Sequence, residues 1–196
     1  MMRWQAVIAA GLLSGTACVA LADSPPPDTR SARQEAERLN KLPPVGPASA
    51  GHIDHSGRKQ KGEASFYAKH LANHKMADGH RMNPNADIAA SKTLPLGSVA
   101  KVTNLDNGKS ATVNIEDRGP YVKGRVVDLT PKVAKQLDVT HKGVAPVEVK
   151  PITLPQPDGG VKLGAGAAEA SPREVRQAVE VTKHLSAEKT TDTAEK

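Results

Sequence analysis

The chain is short of aromatic residues, of cysteine and of long apolar runs. Its 196 residues include one Trp, two Tyr and one Phe. That is too few to interleave with basic side chains as a base-stacking surface, so despite the net charge of +6 nucleic acid is a poor candidate for the partner. The one cysteine, Cys18, lies within the first 22 residues. Removal of that segment leaves neither a disulfide nor a thiol nucleophile. Beyond it no apolar stretch approaches the ~20 residues that a spanning helix needs. A mean hydropathy of −0.46, with 16 glycines and 15 prolines, points to a modest packed core between polar flanks.

Residues 1–22 read as an export signal. Arg3 gives the positive start, Ala6 to Leu13 a short apolar run, and Ala20-Leu21-Ala22 the small residues before a cleavage point at Asp23. Export to the periplasm or cell envelope follows. The alternative is a lipoprotein anchored through Cys18 after Thr16-Ala17, although Gly15 stands where such signals prefer Leu. Only that alternative brings the chain to a membrane. An exported basic protein suits an anionic polymer such as a cell-wall glycan. Residues 23–61, with Pro25-Pro26-Pro27, Pro43-Pro44 and a charged stretch from Arg30 to Lys41, read as a disordered linker with a helical turn or two around 32–39. Residues 153–196, with Gly159-Gly160 and the small run 164–168, read as a flexible tail carrying a short helix at about 172–185.

The dense segment is 62–152. Short alternating runs predict strands at 64–67, 99–105, 109–116, 125–129 and 144–151, with Asp106-Asn107-Gly108-Lys109 as a tight hairpin turn between two of them. Thr130-Pro131 starts a short helix whose apolar face is Val133, Ala134 and Leu137. Short strands with one small helix imply a closed or nearly closed barrel. In Ile115-Glu116-Asp117-Arg118-Gly119-Pro120, the glycine and proline end the strand and leave Asp117 at its mouth. There it is either a general acid or base, or a turn residue bonded to its own backbone. Glu116 is expected on the opposite face. His70 and His74 have zinc-like spacing with His80 only if they share a helix, and Asn73, Asp78 and Gly79 read as loop, so no metal is assigned.

The order of Gly62-Glu63-Ala64-Ser65-Phe66-Tyr67, Met76-Ala77-Asp78-Gly79, Met82-Asn83-Pro84-Asn85-Ala86, Ala89-Ala90-Ser91, Asp117-Arg118-Gly119-Pro120 and Gly124-Arg125-Val126-Val127-Asp128-Leu129 resembles the rare lipoprotein A family. The resemblance implies a mainly β fold, a six-stranded double-psi β-barrel with one or two short helices; it says nothing about the tails, which composition reads as disordered. It also implies an endolytic peptidoglycan transglycosylase, a lyase that cuts MurNAc–GlcNAc β-1,4 bonds of peptide-poor glycan strands and leaves 1,6-anhydro-muramic ends. No cofactor is implied. The implied partners are glycan strands, with cell-division or cell-wall proteins beside them. By the same resemblance Asp117 and His80 are the catalytic candidates; Tyr67, Ser91, Arg118, Tyr121 and Asp128 are candidates for substrate binding, the tyrosines as aromatic faces for stacking on a pyranose (Tyr67 alternatively as barrel packing) and Arg118 for a substrate carboxylate. The family usually carries Glu where this chain has His80, and His where it has Ser91. A non-catalytic peptidoglycan-binding or division scaffold with a degenerate site is therefore the competing expectation.

Overall fold

The computed structural model describes residues 29–45 and 52–194; the proposed signal segment and Cys18 lie outside them. Seven strands run β1 (Gln60–Phe66), β2 (Ile88–Ser91), β3 (Val99–Asn104), β4 (Ser110–Asp117), β5 (Arg125–Leu129), β6 (Ala145–Pro155) and β7 (Val161–Leu163). Their order is β1-β5-β2-β4-β3-β6-β7, and a further antiparallel pairing of β1 with β6 closes the first six into a barrel. The pairs β1–β5 and β2–β4 are parallel and the rest antiparallel. The expected six-stranded barrel is thus present, with one strand added.

The interior is aliphatic, as an aromatic-poor chain requires. Val102, Val113, Ile115, Val127, Leu129 and Val147 are fully buried, each contributing roughly 1.5–3 kcal/mol. Helix α2 (Pro131–Gln136) begins after Thr130 with Pro at its first position, and Val133, Ala134 and Leu137 are buried on that core as expected. The Thr130 hydroxyl is not spent on capping; it donates to the Ala86 carbonyl (2.7 Å).

The flanks differ from the expectation of a disordered linker and tail. Helix α1 (Arg30–Lys41), capped by the Thr29 hydroxyl, buries Ala36 and Leu39. Helix α3 (Pro172–Ala194) is longer than the 172–185 expected and starts with a reciprocal cap between Ser171 and Glu174. Val175, Ala178 and Val179 of α3 join Ala36 of α1 and Ala167 against Val99, Ile152 and Leu163, forming a second layer outside β3 and β6. The run 164–168 looked like a linker because its residues are small. They are small because the chain crosses β6 closely there. A Cβ on Gly164 would lie 2.5 Å from the Pro151 carbonyl oxygen, and one on Gly166 2.6 Å from that of Lys150.

Candidate active site

Asp117 is the last residue of β4, and its carboxylate meets three donors. The Tyr67 phenol donates to Oδ2 (2.9 Å), and the Ala77 and Arg118 amides donate to Oδ1 (2.9 and 2.8 Å). Burial first, then the charge and hydrogen bond of Asp117, push the Tyr67 phenol far above its ordinary value, so it remains a donor. The Tyr67 phenol is thus one of three groups that orient Asp117, while its ring packs against buried apolar residues.

Ala77 comes from a small loop that folds across the end of β4. Lys75 and Arg81 form an antiparallel bridge, with backbone bonds from Met76 to His80 and between Asn73, His74 and Met82. Gly79, at φ 103°, lets the chain reverse. Met76 and Met82 anchor the loop in a satellite core with Ile88, Leu71 and the Tyr67 ring. The chain leaves its 3₁₀ turn at Leu71, so no helix aligns His70 with His74.

The tip of this loop sets Asp78 and His80 against β4. Asp78 Oδ1 accepts the His80 amide (2.9 Å), Oδ2 lies 3.0 Å from His80 Nδ1, and the Asp78 amide donates to the Glu116 carbonyl (3.1 Å). One oxygen each from Asp78 and Glu116 and one ring nitrogen of His80 lie within 4.8 Å of one another. Within this cluster Nδ1 and Oδ2 are hydrogen-bonded to each other. Glu116 is 8% exposed and accepts from the Asn114 amide (3.3 Å). Burial raises its carboxyl above the usual range; Asn114 opposes this, Asp78 adds to it and His80 pulls the other way.

Glu116 and Asp78 are the neighbours that sequence reading missed. Glu116 does project from the opposite face of β4 to the core residue Ile115, but the 73–82 loop folds back over that face and covers it. Only the Asp78-Gly79 pair, a turn signal preceding His80, hinted at this approach.

The other expected contacts fare differently. Ser91 is corrected: at 1% exposure its Oγ accepts from the Thr93 and Leu94 amides (3.4 and 3.2 Å), organising the chain after β2 instead of facing a substrate. Arg118 donates to the Ser91 and Leu94 carbonyls (3.0 and 2.6 Å) and so clamps the same segment. Burial lowers its guanidinium from the ordinary value, against the pull of Tyr121 and Asp117. Asp128 accepts from the Ser65 hydroxyl and from Arg125 (2.6 Å for the latter), which makes it a structural acceptor. Tyr121 stands 74% exposed on the loop after Asp117, a free aromatic face near the site. Two open depressions flank these groups. One of about 370 Å³ is lined by Arg118, Leu96 and Pro155. The other, about 710 Å³, runs along α3 and includes Asn114, the residue that bonds Glu116.

Residues 59–149 match a family model described as "Lytic transglycolase". The chain is 41% identical over 124 residues to the endolytic peptidoglycan transglycosylase RlpA of Pasteurella multocida, covering 63% of this chain and 42% of that protein. It is 39% identical over 104 residues to the protein of the same name from Campylobacter jejuni, covering 53% and 38%. It thus spans about two fifths of the length of these curated relatives. An expansin of Clavibacter michiganensis, 18% identical, is a loose structural likeness with a TM-score of 0.38 over 48% of this chain and 50% of that one.

Proposed function

Because the barrel of residues 59–149 belongs to the rare lipoprotein A-like family, we propose that the chain is an endolytic peptidoglycan lytic transglycosylase. Its substrate is peptide-poor glycan, cut at the MurNAc–GlcNAc β-1,4 bond. The reaction is an internal displacement: the C1–O4 bond breaks, O4 takes a proton, the muramic O6 bonds to C1, and the O6 proton leaves. No water is consumed. Two groups must therefore move protons across an oxocarbenium-like state.

The observation that carries this reading is the Asp117 carboxylate at the mouth of β4, held by Tyr67, Ala77 and Arg118. A carboxylate so fixed is suited to receive the O6 proton and to face the developing positive charge. His80, on the loop that supplies Ala77, is the partner that protonates O4. Tyr121 offers an apolar face for a pyranose ring.

Incubation with peptide-stripped glycan strands, with products read by mass, tests this. Wild type yields 1,6-anhydro-muramic ends, and Asp117→Asn yields them about 10²–10⁴-fold more slowly. The second reading, a glycan-binding scaffold, is favoured by His80 standing where the resemblance expects Glu. It predicts no products from either protein, with both co-sedimenting with the glycan. Residues 1–22 are proposed to direct export to the periplasm or envelope. The mass of the mature N-terminus, at Asp23 or at a lipidated Cys18, decides the form.

A further inference from the structure

Arg118 is a half-buried cation that forms no salt bridge with any described carboxylate. Its Nη1 donates to the Ser91 and Leu94 carbonyls, and among the described residues neither Nε nor Nη2 has a hydrogen bond. Burial works against its charge, and the influence of Tyr121 and Asp117 offsets this only in part. A guanidinium in that condition gains from an anion brought to it. The space for one is the depression of about 370 Å³ beside it, lined by Arg118, Leu96, Ile53, His55, Pro155 and Pro157 among others, none of them acidic. It adjoins the mouth of β4, since the Arg118 amide is itself a donor to Asp117 Oδ1 (2.8 Å).

The walls of this depression are tied together. Arg118 holds the segment after β2 that leads to Leu96. The Asp54 amide donates to the Thr93 carbonyl (2.7 Å) on the same segment, and His55 Nδ1 lies 3.2 Å from the Pro155 carbonyl oxygen at the end of β6. Lys162 Nζ donates to the Ser56 carbonyl (3.1 Å) and the Ala165 amide to that of Gly57 (2.8 Å). Residues 53–57 are thereby fixed between β6, β7 and the chain after β2. Ile53, His55, Pro155 and Pro157 all stand outside residues 59–149, the part matched by the family model. The packed flanks, and not the barrel alone, complete the depression.

We propose that Arg118 and this depression form a subsite for the lactyl carboxylate of a muramic residue, through which the chain recognises glycan that has lost its stem peptide. This rests on the transglycosylase reading above. Each muramic ring carries a lactyl ether on C3. With a stem peptide attached, the lactyl carbonyl is a neutral amide; with the peptide removed it is a carboxylate. On a stripped strand, whose amines are acetylated, that carboxylate is the anionic group. The Nε–Nη2 edge of a guanidinium presents two parallel N–H donors, the geometry that a carboxylate accepts. Leu96, Pro155 and Pro157 give the lactyl methyl and the sugar ring an apolar surface. The volume falls at the lower end of the roughly 300–1,000 Å³ usual for ligand sites.

The test compares peptide-stripped strands with the same strands whose lactyl carboxylates are capped as methylamides by carbodiimide coupling. Two readouts run side by side: kcat/KM of the wild type for anhydro ends, and the Kd of labelled strands for the Asp117→Asn protein, which needs no turnover. Both are expected to favour stripped over capped strands roughly 10- to 100-fold. In Arg118→Gln that ratio falls to within about twofold. Pro157→Glu, which sets a carboxylate on the exposed turn after β6, narrows the ratio by repelling the anion, and it carries the variant test if Arg118→Gln fails to fold. Equal handling of stripped and capped strands in both readouts overturns the inference and leaves the transglycosylase standing. So does the full wild-type ratio in a folded Arg118→Gln protein or, where that protein unfolds, in Pro157→Glu. Peptide-bearing strands bound as tightly as stripped ones would move the recognised carboxylate to the stem peptide and overturn the lactyl assignment. A wild type that makes no anhydro ends sinks the catalytic reading alone, because the Kd ratio still reads the subsite.

Discussion

Replacing Tyr67 by Phe tests the idea that orientation of Asp117 is what makes it useful. The substitution removes one oxygen and leaves the ring packed with Met76, Met82 and Ile88. It deletes the 2.9 Å bond to Asp117 Oδ2, while the Ala77 and Arg118 amides remain on Oδ1. A hydrogen bond to a charged group is worth about 1.5–3 kcal/mol. If all of that is realised in the transition state, the loss is roughly 10- to 150-fold in kcat. Two surviving donors place the expected value near the lower end, about tenfold, with a thermal midpoint close to the wild type because the ring is retained. The assay is initial-rate release of anhydro-muramic ends, run beside Asp117→Asn and checked by circular dichroism. A folded Tyr67→Phe protein with kcat within twofold of wild type would falsify the reasoning. A loss as deep as that of Asp117→Asn would also refute it, since the phenol would then be doing more than orienting a neighbour.

Three further outcomes follow from particular contacts. Glu116 has its carboxyl raised by burial in the folded state, so between its unfolded and folded values the native protein holds a proton that the unfolded chain has released. Stability therefore falls as pH rises through that window, and Glu116→Gln should remove that slope and unfold in urea no earlier than wild type at pH 7; an earlier midpoint there contradicts the sign. Gly164→Ala would set a Cβ 2.5 Å from the Pro151 carbonyl oxygen and 2.9 Å from its Cβ. It should destabilise by about 1–3 kcal/mol, and an unchanged urea midpoint would disprove the close crossing. Tyr121→Ala, at a 74% exposed position, should raise KM for glycan roughly 2- to 10-fold with kcat and stability unchanged. No change in KM removes it from the binding surface.

Where one face of a strand is wet, alternation was enough to read it: β3, β4 and the turn between them are where Asp106-Asn107-Gly108 predicts. Strand β2 escaped because all four of its residues are buried, which leaves no alternation to see. Helices α1 and α3 were legible as weak helices but not as packed ones. Their partners, Val99 and Ile152, are distant in sequence and lie on the outer face of strands whose inner face already accounts for the core. At the site, Asp117 was visible because Gly119-Pro120 stops the strand right after it. The environment of His80 was not visible, since it depends on a loop that starts some 40 residues before Glu116 and is pinned there by Met76 and Met82. Ser91 escaped for the same kind of reason: its two backbone donors follow it immediately, and only the fold reveals that it is buried while accepting from them.

Closure through β1 and β6 gives every barrel strand a hydrogen-bonded neighbour on both sides, and among the described residues the sheet stops at β7. That strand is three residues long, with Lys162 at its centre bonded to the Ser56 carbonyl (3.1 Å). An end so short, interrupted by a charge that is tied down, is a poor template for another chain to add to. The molecule can thus be crowded against its own copies with little tendency to grow into intermolecular sheets.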